Sequence, residues 1–131
     1  MLDQETINTL FGAAKTAMAN AYAPYSKFTV GAALLMKDGQ IVTGCNIENA
    51  SFGVTACAER SAISAAISNG VSDIQAVCVT NATDTKITPC GICRQAIYEF
   101  GRDIPVICTN QSGDYDIFSI AELLPHAFTL D

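Results

Sequence analysis

The chain has 131 residues, half of them hydrophobic and only 15% charged, with a net charge of −6. That length supports one domain, residues 1–131, with a core of its own and no need of disulfide staples. The negative balance, with seven basic residues scattered along the chain, excludes the basic stripe that long nucleic acids require, and no apolar run approaches a membrane span.

Average soluble domains carry roughly 25% charged residues. So few charges on so small a domain predict that apolar surface is buried between copies, in a homo-oligomer. A small ligand with little or no charge suits the composition. Asp3-Gln4-Glu5 precedes the first apolar run without a basic region, so the start does not read as a secretory leader. The expectation is a cytoplasmic protein whose six cysteines are free thiols rather than a disulfide framework.

In chain order, residues 3–20 read as an amphipathic helix with Ile7, Leu10, Phe11, Ala14 and Met18 on one face and Asp3 as N-cap. Ala23-Pro24-Tyr25-Ser26 breaks it. Phe28–Met36 and Gln40–Ile47 read as strands around Lys37-Asp38-Gly39, whose Asp-Gly pair is a hairpin signal. Ser51–Thr55 is a loop, and a helix over 56–69 ends at Asn69-Gly70. Ile74–Thr80 is a strand, Asn81–Thr88 a polar loop, and 90–101 a helix stopped by Gly101. Ile104–Thr109 and Asp116–Ser119 are further strands, before a helical turn at Ala121–Leu124. This order predicts an α/β fold, one mixed β-sheet with helices on both faces, in which the later strands pair in parallel.

The chemistry is concentrated in Cys57-Ala58-Glu59-Arg60 and Pro89-Cys90-Gly91-Ile92-Cys93-Arg94. Three thiolates fill three corners of a tetrahedral zinc site and leave the fourth for water, the mark of a catalytic rather than a structural zinc. Each cysteine falls at a helix start: Cys57 in a first turn, Cys90 and Cys93 at i and i+3 of another. Helix N-termini favour anions and so favour thiolates. Glu59 stands two residues beyond a ligand, placed to move protons for the water. Three thiolates exceed the charge of Zn²⁺ and weaken it as a Lewis acid; Arg60 and Arg94 are expected to offset this by donating to sulfur, Arg60 most of all. Taken alone, Glu59 also reads as a solvated helix glutamate, and Cys90-x-x-Cys93 as a redox dithiol or half a structural zinc knuckle. The added Cys57-x-Glu59 favours the catalytic reading.

Cys-x-Glu followed by Pro-Cys-x-x-Cys is the zinc-deaminase signature in its Cys₃ form. Ala23-Pro-Tyr-Ser-Lys-Phe28, Val30-Gly-Ala-Ala-Leu34, Gly44-Cys-Asn-Ile-Glu-Asn-Ala50, Cys57-Ala-Glu-Arg60, Pro89-Cys-Gly-Ile-Cys-Arg-Gln95 and Leu123-Leu-Pro125 together resemble the small homotetrameric cytidine deaminases over nearly the whole chain. The resemblance implies a three-layer α/β/α sandwich around a central mixed sheet. It implies one Zn²⁺ per subunit on Cys57, Cys90 and Cys93, with Glu59 as proton shuttle. Asn46 and Glu48 would bind ribose hydroxyls, which an amide and a carboxylate at i and i+2 suit as donor and acceptor. Phe28 would line the pyrimidine pocket and the Ala58 amide would meet the ring carbonyl. Phe52 and Phe128 match aromatic positions that complete the sites of neighbouring subunits. The implied reaction is hydrolysis at C4, with Glu59 protonating N3 and assisting ammonia to leave. Cytidine and 2′-deoxycytidine would both serve, in pyrimidine salvage, without any other cofactor.

Thr55 and Ala56 carry no assigned role. His126 reads as a surface or interface residue where relatives commonly have glycine. Cys45, Cys78 and Cys108 read as small buried hydrophobes, and Phe11, Tyr22 and Tyr25 as core or pocket walls. Three other functions stay open at this point. One is a deaminase of a modified cytosine nucleoside, of the blasticidin-S type. Another is a structural zinc module with Cys45 or His126 as fourth ligand. The last is a redox dithiol protein.

Overall fold

The computed structural model describes residues 2–130. It begins with α1, Gln4–Met18, whose first turn is capped by Asp3: a carboxylate oxygen accepts from Thr6 N at 2.8 Å. Then come β1, Val30–Met36, and β2, Ile41–Cys45, joined by a tight turn in which Gly39 takes a left-handed φ of 92°. A single 3₁₀ turn spans Phe52–Val54, before α2, Ala58–Ser68. The remainder is β3, Ile74–Asn81; α3, Gly91–Tyr98; β4, Pro105–Thr109; β5, Tyr115–Ser119; and α4, Ile120–Leu123. Among the described residues, no helix is long and apolar enough to cross a membrane.

The five strands form one sheet in the order β2-β1-β3-β4-β5. β1 pairs antiparallel with both β2 and β3, and β3 pairs in parallel with β4. Parallel pairing therefore holds for β3 and β4 only. The expectation fails at β5, which runs antiparallel to β4. The cause is a short connection, where Gly113 at φ 90° donates to Asn110 O; a tight turn can only reverse the chain, whereas parallel pairing needs a long crossover.

Helices cover both faces, as the three-layer arrangement requires. On one face, Ile7, Leu10 and Ala14 of α1 pack on Ala33, Ala76, Cys78 and Ile107. On the other, α2, α3 and α4 bring Ala58, Ala62, Ile63, Ala66, Ile97 and Ile120 onto Leu34, Met36, Val77, Val79 and Val106. The alternation of inward residues along β1 and β3 divides them between two clusters. Gly44 sets how closely α2 approaches: a Cβ there would overlap Ala62 N and come within 2.6 Å of Ala58 O. The helix carrying the first cysteine thus lies against bare backbone, and its N-terminus is fixed at the sheet edge.

Boundaries shift where side chains replace the backbone ladder. β1 starts at Val30 rather than Phe28, and β2 stops at Cys45 rather than Ile47. The Asn46 side chain fills the gap, donating from Nδ2 to Phe28 O at 2.8 Å and accepting at Oδ1 from Val30 N at 2.9 Å. Two readings of burial also change, those of Cys45 and Tyr22. Cys78 and Cys108 are buried, but Cys45 near the end of the edge strand is only half-buried. Tyr22 is 58% exposed and lies outside the core, whereas Phe11 packs against the α1 cluster.

Candidate active site

The three cysteines are delivered by two helix starts. Cys57 is the N-cap of α2 and Cys90 the N-cap of α3; both have extended backbone, so each precedes the first helical residue rather than lying within the first turn. Cys93, inside the first turn of α3, lies under Cys90 and is buried. All three Sγ atoms fall within 4.8 Å of one another, with Cys57 Sγ and Cys90 Sγ 3.7 Å apart. Metal–sulfur bonds of about 2.3 Å in a tetrahedron put sulfurs about 3.8 Å apart, so the donor set fits zinc in type and spacing. Among the described residues this is the one cluster of possible ligands; neither Cys45 nor His126 joins it. His126 is exposed and takes a left-handed φ of 60°, the conformation that glycine adopts most readily.

Charge at the cluster is unevenly shared. The Cys57 thiol is held well below its ordinary value, first by a hydrogen bond with Cys93 and then by Arg60 and Cys90. Cys93 is pushed up, first by that same bond to Cys57 and then by burial. One anion forms readily and a second beside it does not, so loading a cation would release the remaining protons. Arg60 acts on the anion directly: Nη2 donates to Cys57 Sγ and to Thr55 O, both at 3.4 Å.

Arg94 behaves differently from expectation. Among the described residues its hydrogen bonds go to three oxygens and to no sulfur: Pro89 O at 2.8 Å, Leu123 O at 2.7 Å and Thr88 Oγ1 at 3.0 Å. Being at the fourth position of α3, it points back along the helix toward the Thr88-Pro89 turn and the end of α4. It holds the loop that presents Cys90.

Glu59 is 4% exposed, and burial is the main force pushing its carboxyl up to about 7; its own backbone amide opposes the rise and the charge of Cys57 adds to it. A carboxyl poised near neutrality both accepts and donates a proton. The solvated-glutamate alternative does not fit that burial.

A cavity of about 330 Å³ opens over the cluster. Cys57, Ala58, Glu59 and Cys90 form its floor, with Phe28, Asn46 and Glu48 on its walls. Ala58 is the first residue of α2, where a backbone N–H has no carbonyl one turn earlier to donate to. Phe52 and Phe128 lie outside this cavity, 83% and 68% exposed; Phe52 instead borders a shallow groove beside Tyr25 and Glu48. Tyr25 is thus a wall of that groove rather than a core residue. Thr55 and Ala56, which carry no role in the sequence reading, line the cavity, as do Ser26, Ile87 and Thr88, which it does not single out; nor does it single out Gln95, which donates to Phe128 O at 2.9 Å. Ser26 lies in Ala23-Pro-Tyr-Ser-Lys-Phe28 and Gln95 ends Pro89-Cys-Gly-Ile-Cys-Arg-Gln95, but neither has an ionisable group to single it out.

A family model described as the cytidine and deoxycytidylate deaminase zinc-binding region matches residues 4–109. A cytidine deaminase from Sporosarcina psychrophila is 48% identical over 124 residues, covering 94% of this chain and 91% of the relative. The crystal structure of cytidine deaminase from Burkholderia pseudomallei superposes with a TM-score of 0.88 at 46% identity, covering 92% of this chain and 98% of that one. A blasticidin-S deaminase from Bacillus cereus stands further off, 34% identical over 112 residues and 79% of each chain.

Proposed function

The chain belongs to the cytidine and deoxycytidylate deaminase family, and from that premise we propose that it hydrolyses cytidine and 2′-deoxycytidine to uridine and 2′-deoxyuridine. The observation that carries the reading is the convergence of three sulfurs from two helix starts beside the buried Glu59, whose carboxyl is pushed up to about 7. The cavity also supports an uncharged substrate. Among its described lining residues there is no Lys or Arg, and Glu48 adds negative charge, so a nucleoside suits it better than a 5′-phosphorylated nucleotide. The distance in sequence from the blasticidin-S relative weighs against the modified-nucleoside alternative.

Cys57, Cys90 and Cys93 would hold zinc, one ion per subunit. When bound, zinc supplies a water of lowered pKa at the cavity floor. Glu59 takes a proton from that water and delivers it to N3 of the pyrimidine as C4 becomes tetrahedral. It then carries a second proton to the departing amino group, so that water and cytidine give uridine and ammonia. Its near-neutral affinity for protons suits both transfers. Phe28 offers an apolar wall to the ring, the Ala58 amide a donor to its carbonyl, and Asn46 with Glu48 a donor and an acceptor to the sugar.

The homo-oligomer, a tetramer with shared sites, belongs to the same proposal. Phe52, Phe128, Leu130 and Ile92, 83%, 68%, 91% and 66% exposed, are large apolar side chains that a neighbouring copy would cover. Gln95 holds the chain at Phe128, which favours that ring's delivery to another subunit. A cytoplasmic location and a role in pyrimidine salvage complete the reading. The test is loss of cytidine absorbance on adding zinc-loaded protein, with blasticidin S assayed in parallel. Activity on cytidine that a zinc chelator abolishes is expected. Zinc-loaded protein inert toward cytidine would refute the function.

A further inference from the structure

The segment 23–29 crosses the cavity wall without regular secondary structure, and two side chains hold much of it. The Glu48 carboxylate accepts at Oε1 from Tyr25 N at 2.9 Å and Ser26 N at 3.1 Å, and at Oε2 from the Ser26 hydroxyl. The same hydroxyl accepts from Phe28 N at 3.0 Å. One Ser26 oxygen therefore links a carboxylate and an aromatic residue on the same cavity wall. Lys27, next in the chain, takes a left-handed φ of 63° and donates from N to Ala23 O at 3.0 Å. A non-glycine residue in that conformation is strained and is held only where the surroundings over-determine it. In the turn that holds it, both the amide and the hydroxyl of Ser26 face Glu48.

We propose that Ser26 is a positioning residue for nucleoside selection: its hydroxyl fixes the Glu48 carboxylate so that the remaining acceptor site faces the sugar. The inference rests on the deaminase reading above. A carboxylate has about four lone-pair sites; the strap occupies three and leaves one. The Asn46 amide likewise keeps one N–H and one lone pair after its bonds to Phe28 and Val30. The free acceptor of Glu48 and the free donor of Asn46 match a single hydroxyl, which donates to the first and accepts from the second. The ring hydroxyl common to ribose and 2′-deoxyribose is the 3′-hydroxyl. Without the Ser26 hydroxyl, the carboxylate keeps two backbone donors on Oε1 but can rotate Oε2 away, and Phe28 N loses its acceptor.

The test compares cytidine with 3′-deoxycytidine in zinc-loaded wild type, Ser26→Ala, Ser26→Gly and Ser26→Thr. Wild type should prefer cytidine. In both variants lacking the hydroxyl, kcat/KM for cytidine should fall about tenfold, a typical loss for one charge-assisted bond. The loss should come mainly through KM and be clearly larger for cytidine than for 3′-deoxycytidine, which shares only the part due to Phe28, so the preference shrinks. Ser26→Thr, which keeps the hydroxyl, should retain it. An equal fall on both substrates would mark Ser26 as merely structural and overturn the proposal, as would an unchanged preference or failure of Ser26→Thr to retain it. A wild type inert toward cytidine refutes the function itself, whereas this inference fails only on a wild type that is active.

Discussion

Two of the six cysteines, Cys78 and Cys108, sit inside β3 and β4; three others, Cys57, Cys90 and Cys93, sit at the starts of α2 and α3. In the strands, backbone groups are paired across the sheet and helices cover the side chains. Burial there pushes the Cys78 thiol up to about 12 and Cys108 up to about 11. At the helix starts the three sulfurs lie together, and the Cys57 thiol is held low, first by a hydrogen bond with Cys93 and then by Arg60 and Cys90. The same side chain is an inert filler in one region and a candidate metal ligand in the other. Secondary-structure context, more than residue type, decides which.

The largest effect should come from the chemically active region. Glu59→Gln keeps size and shape but cannot cycle a proton, so turnover of cytidine should fall by about 10²–10⁴-fold, the usual contribution of a positioned acid–base group. Zinc content by mass spectrometry should stay at the wild-type level, because no ligand is removed. Loss of metal together with activity would place Glu59 in the ligand set and blur the contrast between the regions.

A smaller and opposite pattern is expected beneath α1. Leu10 is fully buried in the cluster on the sheet face opposite α2 and α3, away from Cys57, Cys90 and Cys93. Leu10→Ala should lower the free energy of unfolding by about 2–5 kcal/mol through lost burial and a cavity, measured by urea denaturation. Activity per folded molecule should be unchanged at low temperature, since α1 supplies none of the cavity floor. A large drop in kcat would show that the two faces of the sheet are mechanically linked.

How much of this contrast the sequence conveys depends on the kind of signal. Helical periodicity locates α1, and Asp38-Gly39 locates the first hairpin, because both are local patterns with local causes. The cluster of Cys57, Cys90 and Cys93 beside Glu59 is legible because a metal site constrains residue type and spacing together. Less legible is whatever depends on packing across distant segments. Nothing near Cys57 distinguishes a cap from a first-turn residue, since cysteine lacks the oxygen that marks typical caps. The antiparallel β5 rests on how tightly 110–114 turns. Arg94 looks equivalent to Arg60 in its motif, yet it bonds Thr88 and Pro89 of its own loop and Leu123, a partner set by where α4 ends. Ser26 acts through a carboxylate 22 residues away, and no spacing rule joins them.

The smallest expected effect tests the inert thiols by pH. Folding raises the Cys78 and Cys108 thiols above their ordinary value near 9, mainly by burial, so between these limits the unfolded chain holds thiolate while the folded chain keeps its protons. The unfolded state then binds fewer protons, and stability falls as pH rises, by about 1.4 kcal/mol per pH unit for each thiol at full separation. The contribution is intact below pH 9 and is lost toward pH 11 for Cys108 and 12 for Cys78. Other groups also titrate in this range, so the informative quantity is a difference. Urea unfolding at pH 8 and pH 10.5 should show wild type losing more stability than Cys78→Ala, even though the variant starts less stable. Equal losses would mean that Cys78 reaches solvent as a thiolate in the folded state, and the strand thiols would then differ from the helix-start thiols in degree rather than in kind.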